Sequence, residues 1–203
     1  LLADSRNNPE KELDYLDTFG DQRVDGVILI ATVFTSRHLA ALKSRKLPVV
    51  LVGQHLPGFP CVYHNDYQAF YDMTRLVIRK GCRQLGYIGA LFQDKAVGQE
   101  RKRAYQDAVR EAGLEEQAGH TAVAEFSVHS GRDKARELLE AYGPLDALIC
   151  ATDDMAAGAL QHLHRQGIKV PEQMLLTGHG ASGISEVTTP AITTIRYFYE
   201  ESG

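Results

Sequence analysis

The chain alternates short apolar runs with longer amphipathic stretches. Five of the runs are hydrophobic at nearly every position rather than at alternate positions, which is typical of parallel strands buried on both faces. These runs are Val24–Ile30, Pro48–Val52, Leu85–Ala90, Leu145–Ala151 and Met174–Gly178. We therefore expect parallel sheets that are covered by helices.

The stretches between these runs carry helix start and stop signals. Asn8-Pro9-Glu10 combines an N-cap residue, a first-turn proline and an acid near the positive end of the helix dipole. A glycine just past a helix supplies the left-handed C-cap. The predicted helices run from Asn8 to about Phe19, from Thr35 or Ser36 to near Arg45, from Asn65 or Asp66 to Gly81, from Gln99 to Ala112, from Ser130 to Ala141 and from Asp153 to Gly167. Repeated strand–helix units predict a doubly wound α/β fold.

Composition narrows the class of protein. With 203 residues, 44% hydrophobic, the chain has room for one large domain or two small lobes. The formal net charge of −4 argues against this segment itself binding nucleic acid. No apolar run reaches the roughly 18 residues of a membrane-spanning helix, so we expect no membrane partner. The three cysteines, Cys61, Cys82 and Cys150, favour reduced thiols and a cytoplasmic location.

The sequence contains no complete motif for a cofactor, a metal or a catalytic nucleophile. Gly178–Gly183 reads G-x-G-x-x-G, but only six residues separate Gly183 from Pro190, which is too few for a βαβ crossover. The chain has no P-loop sequence and no G-x-S-x-G nucleophile elbow. His162 and His164, two apart on a helix, point to different faces and so do not form a metal site. We expect no cofactor, no metal and no enzymatic activity.

The residues that follow the strands are the candidates for ligand binding, because ligands of open α/β sheets bind beyond the carboxyl ends of the strands. Thr152 and Asp153 follow one strand, the polar loop Leu91–Gly98 leads from another to Arg101, and Gly180 follows a third. Two of these residues have a plainer interpretation as well. Asp153 suits the N-cap of the next helix, and Arg101 suits a solvated first-turn charge.

Aromatic residues also lie near the predicted strand ends. Phe92 is in the polar loop, Phe126 ends the run Thr121–Phe126, and Tyr197 follows the run Ile192–Ile195. Core packing would account for aromatic side chains at such positions. A sugar would account for them too, because its C–H face stacks on aromatic rings while its hydroxyls need charged or amide partners.

Taken together, these segments resemble one known family. QRVDGVILIA, LPVVLVG, RKGCRQLGYIGA, GQERKRAYQDAVREAGL and the succession D-x-M-A-x-G-A-L, G-I-x-V-P-E and P-x-[IL]-T-T-I are similar to the effector-binding domain of LacI/GalR transcriptional regulators. The similarity covers nearly the whole chain in the same order. TGHG and TTIRYFYEESG look most like members that sense sucrose or related sugars.

The resemblance implies two Rossmann-like lobes of the type I periplasmic-binding-protein fold, with a mono- or disaccharide effector between them. It implies that residues 1–90 form an incomplete N-terminal lobe lacking its first strand and helix, 91–191 a C-terminal lobe, and 192–203 a crossover and the start of a return segment. Leu1-Leu2 and Glu201-Ser202-Gly203 look like cut ends. A helix-turn-helix headpiece before this chain would bind operator DNA as part of a homodimer.

The resemblance also assigns roles to residues. Arg101 matches the arginine that binds effector hydroxyls, and Asp153 matches the acid after the strand. Three further positions, those of Thr152, Phe126 and Tyr197, match ligand-facing, stacking and crossover positions of the family. Two departures stand out. Gly180-Ala181 replaces an acidic pair, so the effector is held differently or is larger, and Asn65-Asp66 reverses the usual Asp-Asn order.

Two other classes of protein remain open. A sugar-binding protein of a transport system shares the fold, and a secretory signal would distinguish it. The T-T-P-A-I-T-T-I segment and the three cysteines favour the regulator. An enzyme on a doubly wound fold lacks support, because the sequence shows neither a phosphate loop nor a nucleophile arrangement.

Overall fold

A computed structural model describes residues 1–30, 33–44 and 47–203. Its helices are α1 (Pro9–Asp21), α2 (Ser36–Ser44), α3 (Asp66–Arg79), α4 (Arg101–Glu111), α5 (Val128–Tyr142), α6 (Asp153–Arg165), α7 (Gly183–Val187) and α8 (Tyr199–Ser202). Its strands are β1 (Val27–Ile30), β2 (Val49–Val52), β3 (Cys61–Val62), β4 (Leu85–Gly89), β5 (Thr121–Val123), β6 (Ala147–Cys150) and β7 (Leu175–Thr177). The α/β class and the strand–helix alternation are confirmed.

The strands form two parallel sheets. β1, β2 and β3 pair in that order, and β5, β4, β6 and β7 form the second sheet. Every residue of β4 and of β6 is buried, as their continuous apolar runs predict. β1 differs, because Leu29 is buried whereas Ile28 and Ile30 are 75% and 73% exposed. The prediction of burial on both faces is therefore wrong for β1. It is wrong for β2 as well, because Val50 is 38% exposed.

The chain divides into two compact units. The first unit contains Leu1–His64, Gln93–Ala96 and Glu200–Gly203, and the second contains Asn65–Phe92 and Val97–Tyr199. This division differs from the expected lobe boundaries after residues 90 and 191. The reason is strand pairing, since β4 joins β5 and β6 in the second sheet. The segment after residue 191 also stays with the second unit, through a bridge between Thr177 and Thr193.

Helix ends follow local capping chemistry. The side chain of Asn8 accepts hydrogen bonds from the backbone of Glu10 and Lys11, which confirms the predicted start of α1. Asn65 caps α3 in the same way, through the backbone N–H of Gln68. α5 begins at Val128, earlier than the predicted start at Ser130. The predicted end of α2 near Arg45 lies outside the described residues.

Two glycines let α5 and α6 touch along their backbones. A Cβ at Gly131 would lie 2.3 Å from the carbonyl oxygen of Met155, and a Cβ at Gly158 would lie 2.0 Å from that of Val128. Real side chains do not approach backbone so closely, so any larger residue forces the helices apart. The contact holds α6, and with it the residues at its N-terminus, against α5.

Candidate functional site

Arg101 lies inside the second unit rather than on its surface. It begins α4, which follows a π-helical turn over Lys95–Glu100. A Cβ at Gly98 would lie 1.9 Å from the carbonyl oxygen of Leu91, so only glycine allows the connection to fold so closely onto the end of β4. The Arg101 side chain is 2% exposed. The alternative of a solvated first-turn charge is therefore wrong.

The guanidinium of Arg101 has three hydrogen-bonding partners. Nε donates to Oδ1 of Asp66 at 2.6 Å, and Nη2 lies 2.6 Å from the same oxygen. Nη1 donates to the carbonyl oxygen of Ala151, just past β6, at 2.5 Å. Nη2 also donates to the hydroxyl of Tyr197 at 2.5 Å. Arg101 thus joins the starts of α3 and α4 to the end of β6 and to the segment after residue 191.

The charges of this group are balanced within the protein. Burial opposes the positive charge of Arg101, but Tyr197 and Asp66 outweigh it and raise the pKa of the guanidinium above its usual value. Burial raises the pKa of Tyr197, against the opposing effect of Arg101, so its phenol is protonated at neutral pH. The ring of Phe70 lies 5.4 Å from the guanidinium carbon and provides a cation–π contact.

Asp153 is equally enclosed. Its carboxylate is on the first residue of α6, and the residue is 1% exposed. Oδ2 accepts hydrogen bonds from the backbone N–H of Ser182 at 2.7 Å and from its hydroxyl at 3.0 Å. Oδ1 accepts one from the hydroxyl of Thr194 at 2.5 Å. The N-cap of α6 is Thr152, whose hydroxyl accepts from the backbone of Met155, so the interpretation of Asp153 as the N-cap is wrong.

Gly180 lies beside both the carboxylate of Asp153 and the phenol of Tyr197. Its φ of +128° favours glycine, and a Cβ there would lie 3.5 Å from Oδ2 of Asp153 and 3.9 Å from Cε2 of Tyr197. Its backbone N–H donates to the carbonyl oxygen of Ile195 at 2.8 Å. The small residue therefore keeps space open beside Asp153 and Tyr197, where an acidic side chain would add a second negative charge. We call Asp66, Arg101, Asp153 and Tyr197 the strand-end cluster.

The remaining predicted residues lie apart from these contacts. Phe92 and Phe126 are 69% and 39% exposed, respectively, and each lies three residues after a strand, β4 and β5. Within the described ranges, no hydrogen bond or ring contact joins either side chain to the strand-end cluster. Thr152 is half-buried and serves as the α6 cap.

Sequence reasoning missed several residues of this site. Asp66 was expected to start a helix, not to pair with Arg101, and Ser182 and Thr194 were given no role. One signal was available, because an acid and an arginine occupy the first turns of two consecutive helices, α3 and α4, that flank the same strand. His179 also belongs to the site, with its ring stacked on Phe70 and 4.7 Å from that of Tyr197.

The arrangement suits hydrogen bonding rather than covalent chemistry. Burial raises the pKa of the thiols of Cys82 and Cys150, which makes them poor nucleophiles. Among residues 1–30, 33–44 and 47–203, no group of three or more histidine, cysteine or acidic residues could hold a metal ion. No helix in the same ranges is long and apolar enough to cross a membrane.

Comparison with known proteins places this site in context. The sequence profile of the periplasmic binding protein-like domain matches residues 74–203, more than half of the chain. The sucrose operon repressor of Staphylococcus xylosus is 29% identical over 203 residues, which is 100% of this chain and 62% of that protein. Catabolite control protein A of Priestia megaterium is 25% identical over 96% of this chain and 59% of its own length.

Two solved structures that are similar to this chain are also transcriptional regulators. The transcription regulator CcpA of Lactococcus lactis superposes with a TM-score of 0.90 at 29% identity, over 100% of this chain and 74% of that one. A complex of the transcriptional regulator CelR with cellobiose superposes with a TM-score of 0.86 at 27% identity, over 96% of this chain and 61% of that one. The chain thus spans about three fifths of the length of the curated relatives described above.

Proposed function

Because the chain belongs to the periplasmic binding protein-like domain family, with LacI-family transcriptional regulators as its relatives, we propose that it senses a sugar for such a regulator. The sugar is a mono- or disaccharide, and its binding changes the affinity of the whole protein for operator DNA. The whole protein is a cytoplasmic homodimer with a DNA-binding headpiece and no enzymatic activity. A disaccharide is favoured, since one relative is named for sucrose and another was solved with cellobiose.

The observation that carries this proposal is the strand-end cluster. A buried guanidinium, a buried carboxylate and a phenol meet at the carboxyl ends of the second sheet, where α/β folds bind ligands. Sugar hydroxyls both donate and accept, and so suit partners of both kinds. Exposed Phe92 and Phe126 supply faces for the apolar side of a sugar ring.

The contacts also suggest how binding acts on the protein. Arg101 already bonds Asp66 and Tyr197, and Asp153 already bonds Ser182 and Thr194, so a sugar hydroxyl must replace one of these bonds. The Arg101–Tyr197 bond is the one that we propose is exchanged. Tyr197 follows Arg196, which bridges Gly180, so its displacement would move the segment that leaves the second unit. A sugar would thereby favour one conformation of the regulator over another.

A thermal-shift panel with sucrose, cellobiose, glucose and fructose tests the ligand class. A ligand at about 100 times its dissociation constant adds about 2.7 kcal/mol of stability, or roughly 5 to 10 °C for a chain of this size. Phe92→Ala and Phe126→Ala should each reduce the ligand-induced shift, measured against the variant's own melting temperature. Tyr142→Ala, at the far end of α5, is the matched aromatic control and should keep the full shift. A shift with a nucleobase or amino acid but with no sugar overturns the proposal.

Arg101 needs a gentler substitution than alanine, which would leave Asp66 buried without its partner. Arg101→Lys keeps a cation beside Asp66 but loses the planar fork of donors. We expect the variant to fold and its sugar-induced shift to disappear. A full-length protein should then show sugar-dependent operator affinity in fluorescence anisotropy, and Arg101→Lys should lack this dependence. Turnover of the sugar by the purified protein would instead identify an enzyme.

A further inference from the structure

The second unit has a cavity away from the strand-end cluster. It is open to solvent on one side, has a volume of about 620 Å³ and lies where Leu145 and Met174 lead into β6 and β7, at the ends of the strands opposite to Asp153. Leu139, at the end of α5, and Ile168, after α6, line it as well. A volume of several hundred Å³ with mostly apolar walls is that of a small-molecule site.

His162 gives this cavity a polar group without a protein partner. The residue lines the cavity and is 9% exposed, and its ring makes no hydrogen bond with any residue in the described parts of the chain. Burial lowers its pKa, and Arg136 lowers it further, so the imidazole is neutral at neutral pH. A neutral imidazole offers one donor and one acceptor, and both are available to a ligand hydroxyl in the cavity.

The charges at the rim limit what could bind. Arg136 and Glu140 both line the cavity, and Nε of Arg136 lies 3.9 Å from Oε1 of Glu140. The two charges oppose each other, so the rim favours neither an anion nor a cation. Gln166 and Gln173 also line the cavity, and their amides are uncharged. An uncharged ligand therefore fits this chemistry, with an apolar body against the aliphatic walls and one hydroxyl for His162.

We propose that this cavity is a second ligand site, which takes a small, uncharged, mostly apolar alcohol or phenol whose hydroxyl hydrogen-bonds His162. The site goes beyond the sugar site proposed above and does not depend on it. α6 connects the two places, with Asp153 at its start and His162 nine residues later, about 13 Å along the helix axis. A ligand of this site therefore contacts the same helix as the strand-end cluster without sharing its residues.

Ligand-observed fluorine NMR with 4-fluorophenol, titrated against the full-length protein, tests the proposal. We expect saturable binding in the millimolar range or tighter, unaffected by sucrose. His162→Leu should weaken binding about fivefold to tenfold, since one hydrogen bond is lost. His164→Leu, an exposed histidine on the same helix, is the matched control and should bind like the parent. Fluorobenzene, which lacks the hydroxyl, should bind the parent and His162→Leu equally weakly.

Filling the cavity provides an independent check. Ile168→Trp places a larger apolar side chain in the cavity and should abolish binding of 4-fluorophenol. Circular dichroism establishes whether each variant is folded. If Ile168→Trp does not fold, the comparison of His162→Leu with His164→Leu still decides the test. The proposal is overturned if 4-fluorophenol does not bind at millimolar concentration, or if His162→Leu and His164→Leu bind it equally. Full binding by a folded Ile168→Trp variant would overturn it as well.

Discussion

The ion pair between Arg101 and Asp66 offers the sharpest test of how the strand-end cluster is built. Arg101 is 2% exposed and Asp66 is 7% exposed, so each charge depends on the other rather than on water. Removing one partner of such a pair typically costs about 3 to 5 kcal/mol, because the remaining charge stays buried. We expect a loss of that size in the free energy of unfolding for Asp66→Leu and again for Arg101→Met.

The double variant should be much more stable than the sum of the two losses predicts. With both charges removed, what remains is mainly the unpaired carbonyl of Ala151 and hydroxyl of Tyr197, at about 1 to 3 kcal/mol each. The single losses add to roughly 6 to 10 kcal/mol, against roughly 2 to 6 kcal/mol for the double variant, so the double-mutant cycle should give a coupling of about 4 kcal/mol.

Urea denaturation, followed by the transition of the second unit, measures all four stabilities. Lys134 and Glu137 provide the matched control, since they form a 2.8 Å pair on α5 but are 29% and 50% exposed. Lys134→Met and Glu137→Leu should show a coupling below about 1 kcal/mol. If the losses at Arg101 and Asp66 add within about 0.5 kcal/mol, the pair is not coupled and the description of the cluster is refuted.

Two further predictions concern the helices. Gly158→Ala should destabilise the second unit by about 1 to 3 kcal/mol in urea denaturation, because its Cβ would lie 2.0 Å from the carbonyl oxygen of Val128. Gly119→Ala, where nothing lies within 4 Å, should be neutral or stabilising by up to about 1 kcal/mol, and equal effects would contradict the close helix contact. Glu12 lies 3.2 Å from His38, and burial raises the pKa of its carboxyl to about 7. Between pH 4.5 and 7 the unfolded protein therefore loses the Glu12 proton while the folded protein keeps it, so the free energy of unfolding falls as the pH rises. Relative to the parent, Glu12→Gln should gain up to about 3 kcal/mol over that range in chemical denaturation, and a constant difference would contradict the raised pKa.

The core of the second unit was predictable because its signals are local. β4 and β6 are apolar at nearly every position, and only strands covered on both faces tolerate that pattern. The helix starts at Asn8 and Asn65 were predictable for the same reason, since each side chain bonds backbone groups two or three residues away. β1 carries the same apolar signal, yet its Ile28 and Ile30 are exposed, so the pattern shows which residues prefer burial and not whether a neighbour covers them.

The position of the site was predictable from the sequence, but the hydrogen bonds and ion pairs within it were not. The rule for strand ends selected Arg101, Asp153 and Gly180, and the structure groups them. It did not select Asp66, because the pairing spans 35 residues and depends on how α3 and α4 pack. Nor does any periodicity distinguish a guanidinium that faces a ligand from one that is already bonded by its own protein. The binding roles of these residues remain predictions.

The uneven covering of the two sheets has a consequence for local opening. Among the described residues, the buried apolar cluster of the first unit consists of Leu16, Leu29, Leu42, Val49 and Leu51, whereas that of the second unit has thirty members. An amide proton exchanges with solvent through the opening that costs the least free energy, and a small apolar core lowers the free energy of opening. We therefore expect the amides of β1 and β2 to exchange with deuterium well before those of β4 and β6, so that the chain opens in two separate steps.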